Sequence, residues 1–516
     1  MKQRITYLVE DPDSFTPEQL EAKHGSLSLK GLKAVQEHRV TFSLDELPAE
    51  LRTALKKWKE LHIKWVSPKP YVAIPPFTSR VSPGLHVSFA PRNAQPKGQL
   101  CDLLHTFFDR KAKCSSELDA DEVATPLFHV DEDGKETPSV SLQYYTFLSH
   151  LTQFSSFVNS NLCPRSSETC VEHAVSLRDA SYLDIDYTSA LSTLTVTALT
   201  TPPSSGWEAV IPSPLPGHTT EVGILTHEPN PDPEDLAFAG FLTTLGPDAA
   251  PKPTRFQTPA RHYPLPSSSK GLTYRASFAT PTGLHPTLEL SFSPAGKLEP
   301  PDESCGLYAH LTLPSSLFID RYQFSDALFL ASKNLASLPH ITGATDLEAP
   351  DWVVPQWGSA ALFELAVPEK GPGDGSWTSS IPLHLRYLPA APHAHTRVPL
   401  PWPVVFWACD ITQDPSGNPF DRVDLGYEQS FGPGTRFMHV PPHPGGNGNA
   451  SVEGNENSHG EGVLVSWIDV PVLDTSKAGW VEMGTIGAVV AAFVGLCWVL
   501  FSGRGTKEVK REKKEQ

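Results

Sequence analysis

Leu307-Tyr308-Ala309-His310-Leu311-Thr312-Leu313 sets an aliphatic side chain at every second position, with Tyr308, His310 and Thr312 between them. A period of two is the signature of a β-strand with one apolar face. Outward from it, similar short runs recur at 274–279, 287–292, 361–367, 381–388, 403–408, 435–440 and 463–470. Eight such runs, separated by turn residues and almost free of amphipathic helix, predict a β-sandwich over 271–475. Its last connection, 442–462, is so rich in Gly, Asn and His that it reads as a disordered loop.

Composition agrees with a mainly β chain. The 516 residues include 51 prolines and 35 glycines, which favours short strands and irregular connections and excludes an all-helical bundle. Residues 1–200 read as an α+β region. Strand-like runs at 4–9, 38–44, 62–66 and 85–90, and two more within 183–198, accompany one stretch at 47–61 whose Leu47, Leu51, Ala54, Leu55, Trp58 and Leu61 have helical spacing. Between 201 and 270, the segments 202–216 and 247–266 hold so much Pro and Ser that the region reads as linker-like, without regular elements.

Residues 483–502 (MGTIGAVVAAFVGLCWVLFS) contain no charge and are long enough to cross about 30 Å of hydrocarbon as a helix. With Trp480 and Trp498 near its ends, a transmembrane helix is expected over 480–502. The tail, 503–516, follows with six basic residues against three acidic ones, and the positive-inside bias places it in the cytosol. Taking those nine from the chain's 41 basic and 58 acidic residues leaves −20 on the rest. Such an acidic body lacks the footprint of a nucleic-acid binder. Lys513 and Lys514 stand fourth and third from the end, the offset of a dilysine retrieval signal of the endoplasmic reticulum. A GPI-attachment signal is excluded, because that requires the hydrophobic segment to end the chain.

At the N-terminus, Ile5-Thr6-Tyr7-Leu8-Val9 is too short an apolar run for a signal-peptide core, so an uncleaved N-terminus is expected. Two features favour a lumenal body. Asn449-Ala450-Ser451 is the only N-glycosylation sequon. With Cys497 inside the span, Cys101, Cys114, Cys163, Cys170, Cys305 and Cys409 form an even set. Six cysteines allow about fifteen pairings, and spacing does not choose among them. Cys101 with Cys114, Cys163 with Cys170 and Cys305 with Cys409 is the simplest set; six reduced thiols is the rival.

The chemistry-bearing motifs are few. There is no Gly-x-Ser-x-Gly elbow, P-loop, His-Glu-x-x-His or Cys-x-x-Cys. Asp184-Ile185-Asp186 has the spacing with which a membrane-bound glycosyltransferase holds a donor-site metal, but Asp11/Asp13, Asp119/Asp121 and Asp131/Asp133 share it. On a strand, Asp184 and Asp186 are expected on a solvated face, with Leu183, Ile185 and Tyr187 buried opposite. His384 and Arg386 alternate with Leu383, Leu385 and Tyr387, which puts them on one exposed face as candidate partner contacts. Gly484 and Ala488 form a small-xxx-small pair for close helix packing. His393 and His395 lie in an Ala/Pro loop. No catalytic residue, metal site or cofactor is expected.

His310-Leu311-Thr312-Leu313-Pro314, Leu317-Phe318-Ile319-Asp320-Arg321-Tyr322, Pro382-Leu383-His384-Leu385-Arg386-Tyr387-Leu388-Pro389 and Pro403-Val404-Val405-Phe406-Trp407-Ala408-Cys409, ahead of a terminal span, resemble the PIG-X family over roughly 283–502. Gly84-Leu85-His86-Val87 and Leu183-Asp184-Ile185-Asp186-Tyr187 are similar to its longer fungal members. The resemblance implies a noncatalytic subunit of GPI mannosyltransferase I. Such a subunit stabilises the multi-spanning catalytic subunit that adds the first mannose to the GPI precursor, and fungal members are also associated with folding of other proteins. It implies a single-pass protein of the endoplasmic-reticulum membrane, lumenal at the N-terminus and cytosolic at the C-terminus. The alternatives are a general lumenal membrane-anchored chaperone and a membrane-bound glycosyltransferase.

Overall fold

A computed structural model of the chain describes residues 1–23, 25–92, 99–110, 112, 114, 124–130, 136–163, 168–228, 235–246, 250–266, 269–280, 282–368, 375–410, 426–432, 434–444 and 462–502. The chain forms two compact units, Met1–Arg386 with Val398–Ile468, and Tyr387–Arg397 with Asp469–Gln516.

The larger unit is mainly β. Its eleven-stranded sheet runs, edge to edge, Lys252–Pro259, Asp235–Thr244, Thr219–Glu228, Lys2–Val9, Val35–Ser43, Thr193–Thr200, Ala180–Thr188, Trp58–Val66, Gly84–Pro91, Glu136–Thr146 and Thr125–Val130. Lys2–Val9 pairs in parallel with Thr219–Glu228 and antiparallel with Val35–Ser43. Five strands therefore stand in the stretch 201–270 that was expected to lack regular elements: Trp207–Ile211, Thr219–Glu228, Asp235–Thr244, Lys252–Pro259 and His262–Tyr263. Proline is tolerated because it gathers at the margin. Pro253 and Pro259 belong to the outermost strand, where a missing N–H can face solvent and break no ladder bond.

The expected helix over 47–61 is also corrected. A helix covers only Ala49–Leu55, and Trp58–Val66 is a strand. Leu55, Trp58 and Leu61 do share one core, with Ile63 and Trp65. A register shift between Trp58 and Glu60 is a β-bulge, which lets two side chains three apart join one face. The bulge imitates helical spacing.

The C-terminal strands fall almost where the alternation puts them. One sheet of six runs His262–Tyr263, Thr435–His439, Val404–Asp410, Gly306–Pro314, Gly358–Leu365 and Leu335–Gly343; a sheet of three runs Thr273–Phe278, Thr287–Ser293 and Trp377–Pro382. They meet at Tyr274, whose ring lies 6.1 Å from that of Trp402 and whose hydroxyl donates to the Pro403 carbonyl. Leu307, Ala309, Leu311 and Leu313 are buried, as expected of their face, and so are His310 and Thr312 of the other face. Gly306–Pro314 is an interior strand with both faces covered.

The six cysteines outside the apolar helix are all bridged, as Cys101–Cys114, Cys163–Cys170 and Cys305–Cys409. The last joins neighbouring strands beside the Gly306–Ala408 register pair and closes a loop of 104 residues, the kind of long closure from which a crosslink removes most unfolded-state entropy.

In the smaller unit, the expected ten-residue stalk is braced. Ala391 N–H donates to Leu473 O at 3.0 Å and Val472 N–H to Ala394 O at 2.9 Å. His393 and Ala394 adopt positive φ, 73° and 60°, to turn the brace. The helix Ala478–Ser502 follows. Its 25 residues extend about 37 Å at 1.5 Å each, more than the hydrocarbon thickness of a bilayer.

Candidate functional site

Three features could carry function: the aspartate pair, the face around Arg386, and the apolar helix. Asp184 and Asp186 lie on Ala180–Thr188, opposite Lys64 and His62 of Trp58–Val66. Asp186 Oδ1 is 3.0 Å from His62 Nδ1, and Asp184 Oδ1 is 3.7 Å from Lys64 Nζ. Asp184 is 2% exposed, which corrects the expectation of a solvated face. Most side chains on both faces of this strand are buried, and Lys64 also reaches Ser79 Oγ (3.5 Å) and the Tyr182 ring (5.4 Å). A buried carboxylate matched to a buried ammonium is a structural pair. Both carboxylates of the Asp-x-Asp spacing thus face basic side chains of the neighbouring strand.

The pair belongs to a polar seam between the large sheet and the sheet of six. From the second sheet, His262 bonds His439 Nε2 through Nδ1 at 2.9 Å and Glu428 through Nε2. Burial pushes the Glu428 carboxyl up, but His262, Arg261 and Lys64 together hold it below the usual range. Tyr427 donates its hydroxyl to Arg80 O at 2.8 Å and packs against His310; Trp357 donates Nε1–H to Gln143 O at 2.8 Å. His86 Nε2 lies 2.7 Å from Ser82 O. Burial pulls the histidines down, His310 to about 3, His86 to about 4 and His439 well below the ordinary value. Neutral imidazoles therefore mediate much of this interface, and the seam fastens two halves of the unit together.

Arg386 is 3% exposed, which overturns its placement on an exposed face. Its Nη1 donates to Ala349 O (2.7 Å) and its Nη2 to Ala344 O (3.2 Å), while the guanidinium sits 4.4 Å over the Phe318 ring. Burial lowers its pKa, against the pull of Asp346 and Asp351. His384 is half-buried, bonded through Nδ1 to His285 Nδ1 at 2.9 Å and stacked on Phe318. The segments carrying Phe318 and Arg386 thus converge, and Arg386 pins the irregular stretch 344–349. Periodicity could not reveal this, since the acceptors are backbone carbonyls of a loop.

The apolar helix is exposed along its length, with only Cys497 partly covered. At about 100° per residue, Gly484, Gly487, Ala488, Ala491 and Gly495 share one side, and no other heavy atom approaches these glycines. Asn449, Lys513 and Lys514 lie outside the described residues, as does most of the 442–462 loop.

A strand-rich body with buried, internally matched charge, followed by one helix long and apolar enough to cross a membrane, defines a mainly β class of protein. Comparison with known proteins narrows the class. A sequence model of the family PIG-X / PBN1 matches residues 281–501. The chain is 39% identical to Protein pbn1 of Aspergillus fumigatus over 100% of this chain and 99% of that one. It is 38% identical to Protein pbn1 of Emericella nidulans and 38% identical to Protein pbn1 of Neurospora crassa, each over 97% of this chain and 95% of the relative. The chain belongs to the PIG-X / PBN1 family. No solved structure matches it.

Proposed function

We propose that this chain is the noncatalytic subunit of GPI mannosyltransferase I in the endoplasmic-reticulum membrane. In this reading the β body is lumenal, the apolar helix spans the bilayer once, and the basic tail with Lys513 and Lys514 is cytosolic. The chain stabilises a multi-spanning catalytic subunit by binding only its folded form, which shifts that protein's folding equilibrium by mass action. Gly484 and Ala488 let the partner's helix approach closely, and Asn449 carries the glycan. The observation that supports this most is full-length likeness to fungal pbn1 proteins, from the N-terminal sheet through the apolar helix. The disulfides suit an oxidising lumen.

The test is depletion of the chain in cells with labelled GPI precursors. Unmannosylated glucosaminyl-phosphatidylinositol is expected to accumulate, and the full chain to restore mannosylation. Normal first-mannose transfer after depletion overturns the proposal and favours a general folding factor. Asp184→Asn with Asp186→Asn separates the enzymatic rival: transfer is expected to track the amount of folded chain, whereas abolished transfer with undiminished folded chain would make the pair catalytic.

A further inference from the structure

Of the three disulfides, one differs from the others in exposure and in what it holds. Cys101 and Cys114 are both buried, and so is Cys409 of the third bridge. In Cys163–Cys170 both cysteines are only half-buried. This bridge closes seven residues of chain, against 13 and 104 for the other two, so it removes the least unfolded-state entropy. Its local task is also duplicated. The bridge ties the end of the helical stretch 152–162 to the helix Glu168–Ser176. Ser155 Oγ donates to the Ala174 carbonyl at 2.7 Å, and Arg178 Nε donates to Ser155 Oγ at 3.1 Å. The two pieces therefore stay fastened when the S–S bond opens.

We propose that Cys163–Cys170 is a thiol-exchange site. A thiolate from outside the chain attacks Sγ of Cys163, the S–S bond breaks, and Sγ of Cys170 leaves with the electron pair as a thiolate, which gives a mixed disulfide at Cys163. Cys170 is the leaving sulfur because it stands in the first turn of Glu168–Ser176, where backbone N–H groups without helical acceptors favour an anion. Attack of the Cys170 thiolate on the mixed disulfide restores the bridge and expels the incoming thiolate, so the cycle consumes neither oxidant nor reductant. An accessible disulfide is the kind that exchanges. Glutathione and a cysteine of a neighbouring protein offer the same thiolate chemistry. The site goes beyond the subunit role proposed above and shares no residue with it.

The full chain in nonionic detergent, equilibrated with mixtures of reduced and oxidised glutathione at neutral pH, then quenched in acid, alkylated and mapped by mass spectrometry, tests this. Cys163–Cys170 is expected to open at a poise at least about tenfold less reducing than either other bridge requires, with the glutathione adduct on Cys163. Opening of all three together, or an adduct chiefly on Cys170, overturns the proposal. Cys163→Ser with Cys170→Ser is expected to leave the melting temperature and the amide protection of Ala180–Thr188 unchanged; a loss of either makes the bridge structural and overturns it as well. In cells, Cys170→Ser removes the sulfur that reverses the exchange, so Cys163 is expected to remain in a mixed disulfide. A large shift on a nonreducing gel identifies a protein thiol as the attacker, and an unshifted chain with glutathione on Cys163 identifies the small one. Cys163 recovered wholly as free thiol overturns the proposal. None of these readouts uses GPI precursor or the catalytic subunit, so failure here is distinct from failure of the auxiliary role.

Discussion

The large sheet and the C-terminal sandwich are both built from short strands, yet they are secured by different means. In the sandwich a crosslink between adjacent strands, Cys305–Cys409, closes a 104-residue loop. The middle of the large sheet relies on noncovalent order: Lys2–Val9 pairs with a strand more than two hundred residues away, and the Lys64–Asp184 pair is buried beneath its face. The histidine and tyrosine seam ties one to the other. What the difference teaches is that the N-terminal half is no appendage, because Lys64 of its sheet acts on the Glu428 carboxyl and Tyr427 bonds Arg80 across the seam.

The largest effect should come from breaking that dependence. Lys64→Met leaves Asp184 buried without its ammonium and is expected to cost about 3–5 kcal/mol, read by urea unfolding of the solubilised chain. Lys64→Met with Asp184→Leu should recover most of the loss. A single variant as stable as the parent would mean that the pair is not desolvated.

Cys305→Ser with Cys409→Ser is expected to cost about 2–4 kcal/mol and to sharpen the comparison by its reach. Amide exchange should rise in Trp58–Val66 as well as in Val404–Asp410. Protection unchanged in the large sheet would show two halves that open independently.

Acid should attack the seam. His310 and His86 titrate near 3 and 4 in the folded chain, against about 6.5 when unfolded. The unfolded state therefore binds more protons between those values, and stability is complete above about pH 6.5 and falls as pH drops toward 4. Each histidine contributes up to about 1.4 kcal/mol per pH unit over that window. The melting temperature is expected to be lower at about pH 5 than at about pH 7, and His310→Gln to flatten the difference. An equal fall in parent and variant would remove His310 from the account. The smallest effect is at the sheet margin, where Arg255, largely exposed beside Glu228, should lose under about 1 kcal/mol as Arg255→Ala in the same unfolding assay.

Much of this was legible in the residues. The runs at 274–279, 287–292 and 307–313 are strands almost residue for residue, because alternating burial leaves its period in the sequence. Leu335–Gly343 was missed, since Pro339 interrupts it and register shifts break its alternation. Asp184 and Asp186 had their partners in plain view: His62 and Lys64 have the same two-residue spacing. Only the antiparallel register, which sets His62 opposite Asp186, 124 residues away, and Lys64 opposite Asp184, reveals the match. Arg386 looked exposed because its partners are carbonyls of an irregular loop. Short-range pattern carries strands; it does not carry which strands meet.

The central claim is that a folded partner depends on this chain. The direct measurement is a pulse-chase of the mannosyltransferase catalytic subunit in cells with and without the chain, beside an unrelated multi-spanning protein of the same membrane. The account predicts a selectively shortened half-life of the catalytic subunit, restored by the full chain. Equal half-lives in both cells would contradict it.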